Sequence, residues 1–281
     1  MQRLVRLKEH AHNKFREFRH EQVNLEKTNG TLPTDLLVFR TDQNGFIDNG
    51  NGTFDGNDII LLGDSVIESY NISEKARLPS VVERLVRMQK DVRVCNAGYS
   101  GMTLLHAINV FVNKIIPMKP RTVILTVSSI DQHCCVREIG FWSTNPYLNP
   151  LVAKDGNLPE NQDELIPFNT TQRDQLLSVF RNTAEIFGIK IFITTDAAMP
   201  ETDWFKANAG RFDLYNKKRQ HQLIQESTRK FCTANGIYLI DVEAELDTDG
   251  NYFYDLVHYN EMGAKAAGEI IARHLLQSGA R

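Results

Sequence analysis

From about residue 58 onward, short apolar runs alternate with helix-length segments, and this rhythm constrains the chain more than anything else in it. Ile59-Ile60-Leu61-Leu62, Val92-Arg93-Val94-Cys95, Val123-Ile124-Leu125-Thr126-Val127, Ile191-Phe192-Ile193-Thr194 and Ile237-Tyr238-Leu239-Ile240 have strand length, and most are apolar nearly throughout. Continuous apolar strands are buried on both faces. Helices are predicted between and after them, near 78–90, 103–117, 172–187, 211–234 and 261–278. Five such strands alternating with helices make a parallel sheet covered on both sides, an α/β fold in three layers. A chain of 281 residues with 42% hydrophobic side chains has enough core for it. Ligands of such sheets bind beyond the carboxyl ends of the strands, so the chemistry is sought there.

The first 57 residues read as an extension of the main domain, which covers 58–281. Residues 1–27 carry an apolar stripe at helical spacing (Leu4, Leu7, Ala11, Phe15, Phe18) on a basic background, which predicts a solvated helix packed by one edge. A partner or membrane-surface contact is the alternative for that basic face. Leu36-Leu37-Val38-Phe39 reads as a strand. Asn44-Gly45 and Asn49-Gly50 are turn signals around Phe46-Ile47, together a β-hairpin prelude. The Asp- and Asn-rich stretch running to Asp58 lacks calcium-loop spacing and reads as turn chemistry.

Several classes are excluded. Thirty-two Lys and Arg against 35 Asp and Glu leave a net charge of −3, without the basic excess that nucleic-acid binding requires. No apolar run is long enough to span a bilayer, and residues 1–8 carry no apolar leader, so a cytoplasmic location is expected. Sequons at Asn29, Asn51, Asn71 and Asn169 would then go unused. Cys95, Cys134, Cys135 and Cys232 lack C-x-x-C spacing and read as reduced thiols, not as a metal site.

Three motifs follow strands or precede the last helix. The first strand runs into Gly63-Asp64-Ser65, which places a serine hydroxyl in a tight turn at the sheet edge, beside a helix N-terminus whose N–H groups can hold an oxyanion. Taken alone this is equally a turn with a helix cap. The second strand runs into Asn96-Ala97-Gly98-Tyr99-Ser100-Gly101-Met102-Thr103, where two glycines let backbone approach a ligand. Near the end stands Asp255-Leu256-Val257-His258. A serine needs a base, and the base needs a group to fix its tautomer; an Asp three residues before a His can reach Nδ1 and leave Nε2 facing the serine.

In this order and spacing the three motifs resemble the GDSL/SGNH hydrolases, from about Asp58 to about Leu276. The resemblance implies a flavodoxin-like α/β/α sandwich with five parallel strands. It implies Ser65 as nucleophile, His258 as general base and Asp255 as its orienting partner. It gives the oxyanion hole to the backbone N–H groups of Ser65 and Gly98, and implies no metal or organic cofactor. One block departs from the family pattern: where Gly-x-Asn-Asp is expected after the third strand, this chain has Ser128-Ser129-Ile130-Asp131. Ile130 cannot donate the third oxyanion hydrogen bond, a loss of about 10²–10³ in rate unless Ser129, Gln132 or His133 substitutes.

The rival serine-hydrolase pattern, Gly-x-Ser-x-Gly, fits poorly: Ile67 stands two residues after Ser65, and Met102 two after Ser100. The expected activity is therefore hydrolysis of acyl esters through an acyl-serine, with small O-acetyl esters on carbohydrate as the family-based expectation. Phe141, Trp142, Tyr147 and Trp204 are candidates for stacking on sugar rings, and equally for packing. Acyl transfer to a sugar hydroxyl, a catalytically weak binding module and a membrane-surface lipase are the alternatives. The loop-rich 131–170 segment is where substrate choice is expected to lie.

Overall fold

A computed structural model describes residues 5–51, 57–143, 145, 147–151, 164–247 and 251–279. Leu4, Pro146, Pro159, the rest of 152–163 and the middle of the Asp- and Asn-rich stretch lie outside the described residues. The helices are α1 (Gln22–Leu25), α2 (Ser65–Glu68), α3 (Leu78–Arg87), α4 (Leu104–Val110), α5 (Ile116–Met118), α6 (Gln132–Cys135), α7 (Thr171–Ile186), α8 (Asp203–Phe212), α9 (Leu214–Asn235), α10 (Val242–Glu245) and α11 (Glu261–Gln277). The strands are β1 (Phe15–Phe18), β2 (Leu37–Arg40), β3 (Asn57–Gly63), β4 (Val92–Gly98), β5 (Thr122–Thr126), β6 (Lys190–Thr194) and β7 (Tyr238–Ile240).

The apolar runs form a five-stranded parallel sheet in the order β4-β3-β5-β6-β7. Alternation along β3 serves both faces. Ile59 and Leu61 enter a core with α3, α8 and α11, whereas Ile60 and Leu62 enter one with α4, α7 and α9. Each such fully buried side chain stabilises by about 1.5–3 kcal/mol. The order reverses between β3 and β5, so the loops after these strands diverge and leave a crevice at the switch point. Gly63-Asp64-Ser65 opens directly onto it.

The amino-terminal helix expected over 1–27 is not formed. Residues 6–11 run without regular structure, Asn13 takes a left-handed conformation (φ 51°), and β1 pairs antiparallel with β2. Among the described residues of that segment, only α1 is helical. The apolar stripe does not decide this segment: its most buried described residue is the charged Lys8, 2% exposed, which finds backbone carbonyls that a helix would not bring to it. Tertiary partners override a weak helical period. The hairpin prelude survives as the β1–β2 pair and a turn in which Thr41 bridges Ile47.

Two helices differ in detail. The segment expected at 103–117 winds as a π-helix over Phe111–Ile115, ahead of Pro117, whose missing N–H breaks the regular ladder. The segment expected at 211–234 begins at Leu214, because Asp213 is left-handed (φ 52°) and ends a separate helix, α8, capped by Thr202. All four cysteines are buried, and none is in a disulfide. No helix among the described residues is long and apolar enough to cross a membrane.

Candidate active site

Ser65 is the first residue of α2, and Asp64 caps that helix by accepting from Val66 N at 3.0 Å. The Asp64 carboxylate also accepts from Ser128 Oγ (2.6 Å), which ties the turn after β3 to the turn after β5. Its burial pushes its pKa up, against the Ser128 hydrogen bond. The Ser65 hydroxyl is thus aimed by a short helix whose cap is itself anchored.

Asp255 and His258 lie on a tight excursion before α11, closed by the Phe253–Tyr259 bridge and the Tyr254 N–His258 O hydrogen bond (3.0 Å). Asp255 Oδ1 accepts from the backbone of Val257 (3.1 Å) and His258 (2.9 Å), which leaves the carboxylate facing the imidazole. Nδ1 of His258 lies 2.8 Å from Asp255 Oδ2 and 2.9 Å from Oδ1. Nε2 lies 2.7 Å from Ser65 Oγ. Tyr254 stacks on the imidazole at 5.4 Å between ring centroids, and Asn71 holds the Tyr254 hydroxyl at 3.0 Å. The amino-terminal segment braces this excursion: Asn29 N donates to Tyr254 O (2.9 Å) and Asn29 Nδ2 to Phe253 O (2.7 Å).

Burial alone would depress the His258 pKa, but the Asp255 charge and hydrogen bond outweigh it, with Asp64 and Asp196 adding, and raise it to about 9. Asp255 is held below its usual range: burial raises it, and His258 with two backbone N–H groups outweighs that. An imidazole so placed can take the serine proton and remain stabilised once charged.

The structure departs from expectation at Gly98. Its N–H donates to Asn96 Oδ1 (3.0 Å), and it packs where any side chain would strike the α2 backbone at Ile67 and Glu68. Gly101 lines the cleft beside Ser65 instead, with φ at +69°. Among the described residues no acceptor takes the Gly101 N–H, and no hydrogen bond is made by the Ser65 N–H, at the start of α2. Ser100 donates its hydroxyl to Glu68, which leaves Ser65 as the serine that His258 touches.

A cleft of about 360 Å³ opens over Ser65 and His258, lined among others by Tyr147, Trp204, Phe212 and Leu256. Two of the four expected aromatic residues therefore reach it. Phe141 is 1% exposed in the core, and Trp142 is exposed outside the lining. Ser129, Ile130, Gln132 and His133 all line the cleft. Gln132 is buried, and its Oε1 has no partner among the described residues. The sequence reading missed Lys8, Tyr254 and Gly101's place at the cleft. Gly101 sat within a quoted motif, but only its backbone conformation separates it from Gly98.

No protein-family model and no curated sequence matches the chain. In fold it is similar to a GDSL-like lipase from Bacteroides thetaiotaomicron VPI-5482, at 12% identity over 82% of this chain and 94% of that one (TM-score 0.54). It is similar to the lipase/acylhydrolase from Enterococcus faecalis, at 15% identity over 79% and 97% (TM-score 0.54). It is likewise similar to an acetylxylan esterase from Geobacillus stearothermophilus, solved as a catalytic mutant, at 14% identity over 81% and 96% (TM-score 0.52).

Proposed function

From a chain that has the GDSL/SGNH hydrolase fold, we propose a serine-dependent hydrolase of acyl esters, acting through an acyl-serine, with small O-acyl groups on carbohydrate as its substrates. The observation that carries this reading is the continuous contact from Asp255 through His258 to Ser65 Oγ, with 2.8 and 2.7 Å steps. Ser65 Oγ attacks the acyl carbonyl while His258 Nε2 takes its proton. The oxyanion is held by the N–H groups of Ser65 and Gly101, Gly101 taking the place first expected of Gly98. The imidazolium then protonates the leaving alcohol. Water, deprotonated by His258, attacks the acyl-serine and releases the acid. Tyr147 and Trp204 in the cleft wall support a sugar-ring substrate, and the acetylxylan esterase among the fold relatives points the same way.

The test is release of acetate from acetylated oligosaccharides and from p-nitrophenyl acetate, with and without an unacetylated sugar acceptor. Free acetate as the product supports hydrolysis. Acetyl groups passed quantitatively to the acceptor make the protein a transferase, and no cleavage of any ester removes the reading.

Two further outcomes are expected. First, the base form of His258 fills as pH rises toward about 9, so kcat/KM should climb from pH 6.5 to about 8. Asp255→Asn removes the stabilising charge; it should move that limb downward and slow turnover by roughly 10³–10⁴-fold, less than His258→Ala does. A limb that stays put in Asp255→Asn would mean that His258 is not the titrating base. Second, Gln132 lines the cleft and carries a carboxamide Nε2 able to donate, which makes it the substitute we assign for the donor that Ile130 cannot supply. Gln132→Leu should cost about 10²-fold in kcat. If instead Ile130→Asn raises the rate while Gln132→Leu changes nothing, the third donor position is empty in the native protein.

A further inference from the structure

Lys8 is a buried cation outside the sheet that forms no ion pair with a carboxylate among the described residues, yet it sits against the turn that carries Gly101. Its Nζ donates to Gly101 O (2.5 Å) and Tyr147 O (2.9 Å), and lies 3.4 Å from Ser100 O. The ammonium also stands over the Tyr147 ring, 4.5 Å from its centroid. Burial lowers the Lys8 pKa to about 8, Arg6 lowering it further and Glu68 and Asp64 opposing, so it is cationic at neutral pH. The segment around it is fixed on both sides: Arg6 N donates to Pro150 O (2.8 Å), and His10 Nε2 lies 3.1 Å from Glu68 Oε1. Glu68 in turn accepts from the Ser100 hydroxyl.

The Ser100 carbonyl and the Gly101 N–H belong to one peptide group. A cation on that oxygen draws electron density from the amide and strengthens its N–H as a donor. The bond to Gly101 O pins the next peptide, in a turn whose left-handed conformation only glycine holds without strain.

We propose that Lys8 is a positioning residue for the reaction, clamping and polarising the Ser100–Gly101 peptide so that its N–H serves as an oxyanion donor. The inference rests on Gly101 being that donor. It makes the amino-terminal segment part of the catalytic apparatus. By the bond to Tyr147 O, it also couples the oxyanion turn to the aromatic wall of the cleft.

The experiment compares wild type, Lys8→Met and Ser65→Ala, reading p-nitrophenyl acetate kinetics, affinity for phenylboronic acid as a tetrahedral analogue, and the Gly101 amide proton shift by NMR. In a folded Lys8→Met, kcat should fall about 10- to 100-fold with KM within twofold. Boronate affinity should fall by a similar factor, and the Gly101 amide proton should move upfield. Should Lys8→Met not fold, Lys8→Gln keeps hydrogen-bond donors but removes the charge, and the same shifts are expected in smaller degree. An unchanged kcat, or a lower one with the Gly101 shift unmoved, overturns the proposal. If wild type and Ser65→Ala turn over alike, the catalytic reading of the site fails instead, and the Gly101 shift still decides whether Lys8 polarises that peptide.

Discussion

Ser65→Ala is expected to reduce kcat for p-nitrophenyl acetate by on the order of 10⁴- to 10⁶-fold while leaving the protein folded. The loss is large because the covalent route disappears: His258 keeps its charge partner but has no hydroxyl to deprotonate. The fold should tolerate the change. Helix α2 is capped by Asp64, not by Ser65, and the hydroxyl's only described partner is His258 Nε2. Losing that hydrogen bond costs about 1 kcal/mol. Circular dichroism and thermal melting beside the kinetics would separate the two effects. A well-folded variant with normal turnover would remove Ser65 from the mechanism.

The largest expected effect on stability lies at Arg173. This side chain is fully buried, with its guanidinium donating to Thr228 Oγ1 (2.7 Å) and Ser227 Oγ (3.3 Å) and lying 3.6 Å from Asp131 Oδ2. Asp131 caps the start of α4 by accepting from Leu104 N at 2.9 Å. Arg173→Met fills the space but leaves Asp131 as an unpaired buried carboxylate, at a cost of about 3–5 kcal/mol and a fall in Tm of roughly 10 °C. The loss should depend on pH. Burial already raises the Asp131 pKa from 3.8 to about 7 against the pull of Arg173. The folded state therefore binds this proton more tightly than the unfolded chain, and stability falls as pH rises from 3.8 to 7. Without Arg173 the folded pKa rises further, so the variant should be closest to wild type near pH 5 and worst near pH 8. Asp131→Asn added to Arg173→Met should recover much of the loss. An Arg173→Met melting curve displaced equally at pH 5 and 8 would show that the pair's charges do not matter.

The sheet and three of the site residues were legible for one physical reason. A strand buried on both faces must be apolar throughout, so Ile59-Ile60-Leu61-Leu62 and its counterparts mark themselves, and the residues just after them fall at the carboxyl edge. Ser65, Asp255 and His258 are then limited by chain geometry, because a three-residue step brings a carboxylate back to its own imidazole. The amino-terminal segment was not legible. Its helical spacing is a local signal, whereas its conformation is set by carbonyls at Gly101 and Tyr147, 93 and 139 residues away in sequence. The glycine proposed for the oxyanion hole was half legible: two glycines stood in one motif, and a hydrogen bond from Gly98 to the Asn96 side chain distinguishes them. The break at Asp213 had no glycine to announce it.

The bond between Asn29 and the Phe253–Tyr254 backbone bears on synthesis. Ser65 and His258 are 193 positions apart, and the excursion that carries His258 is braced by residues made near the start. A ribosome-bound chain can pair β3 with β4 and β5 long before residue 258 exists, so the nucleophile's turn can form while it is chemically inert. On the proposed triad, reactivity is expected only once the last segment has left the exit tunnel and closed against Asn29. A chain that ends before His258 should then be silent to fluorophosphonate.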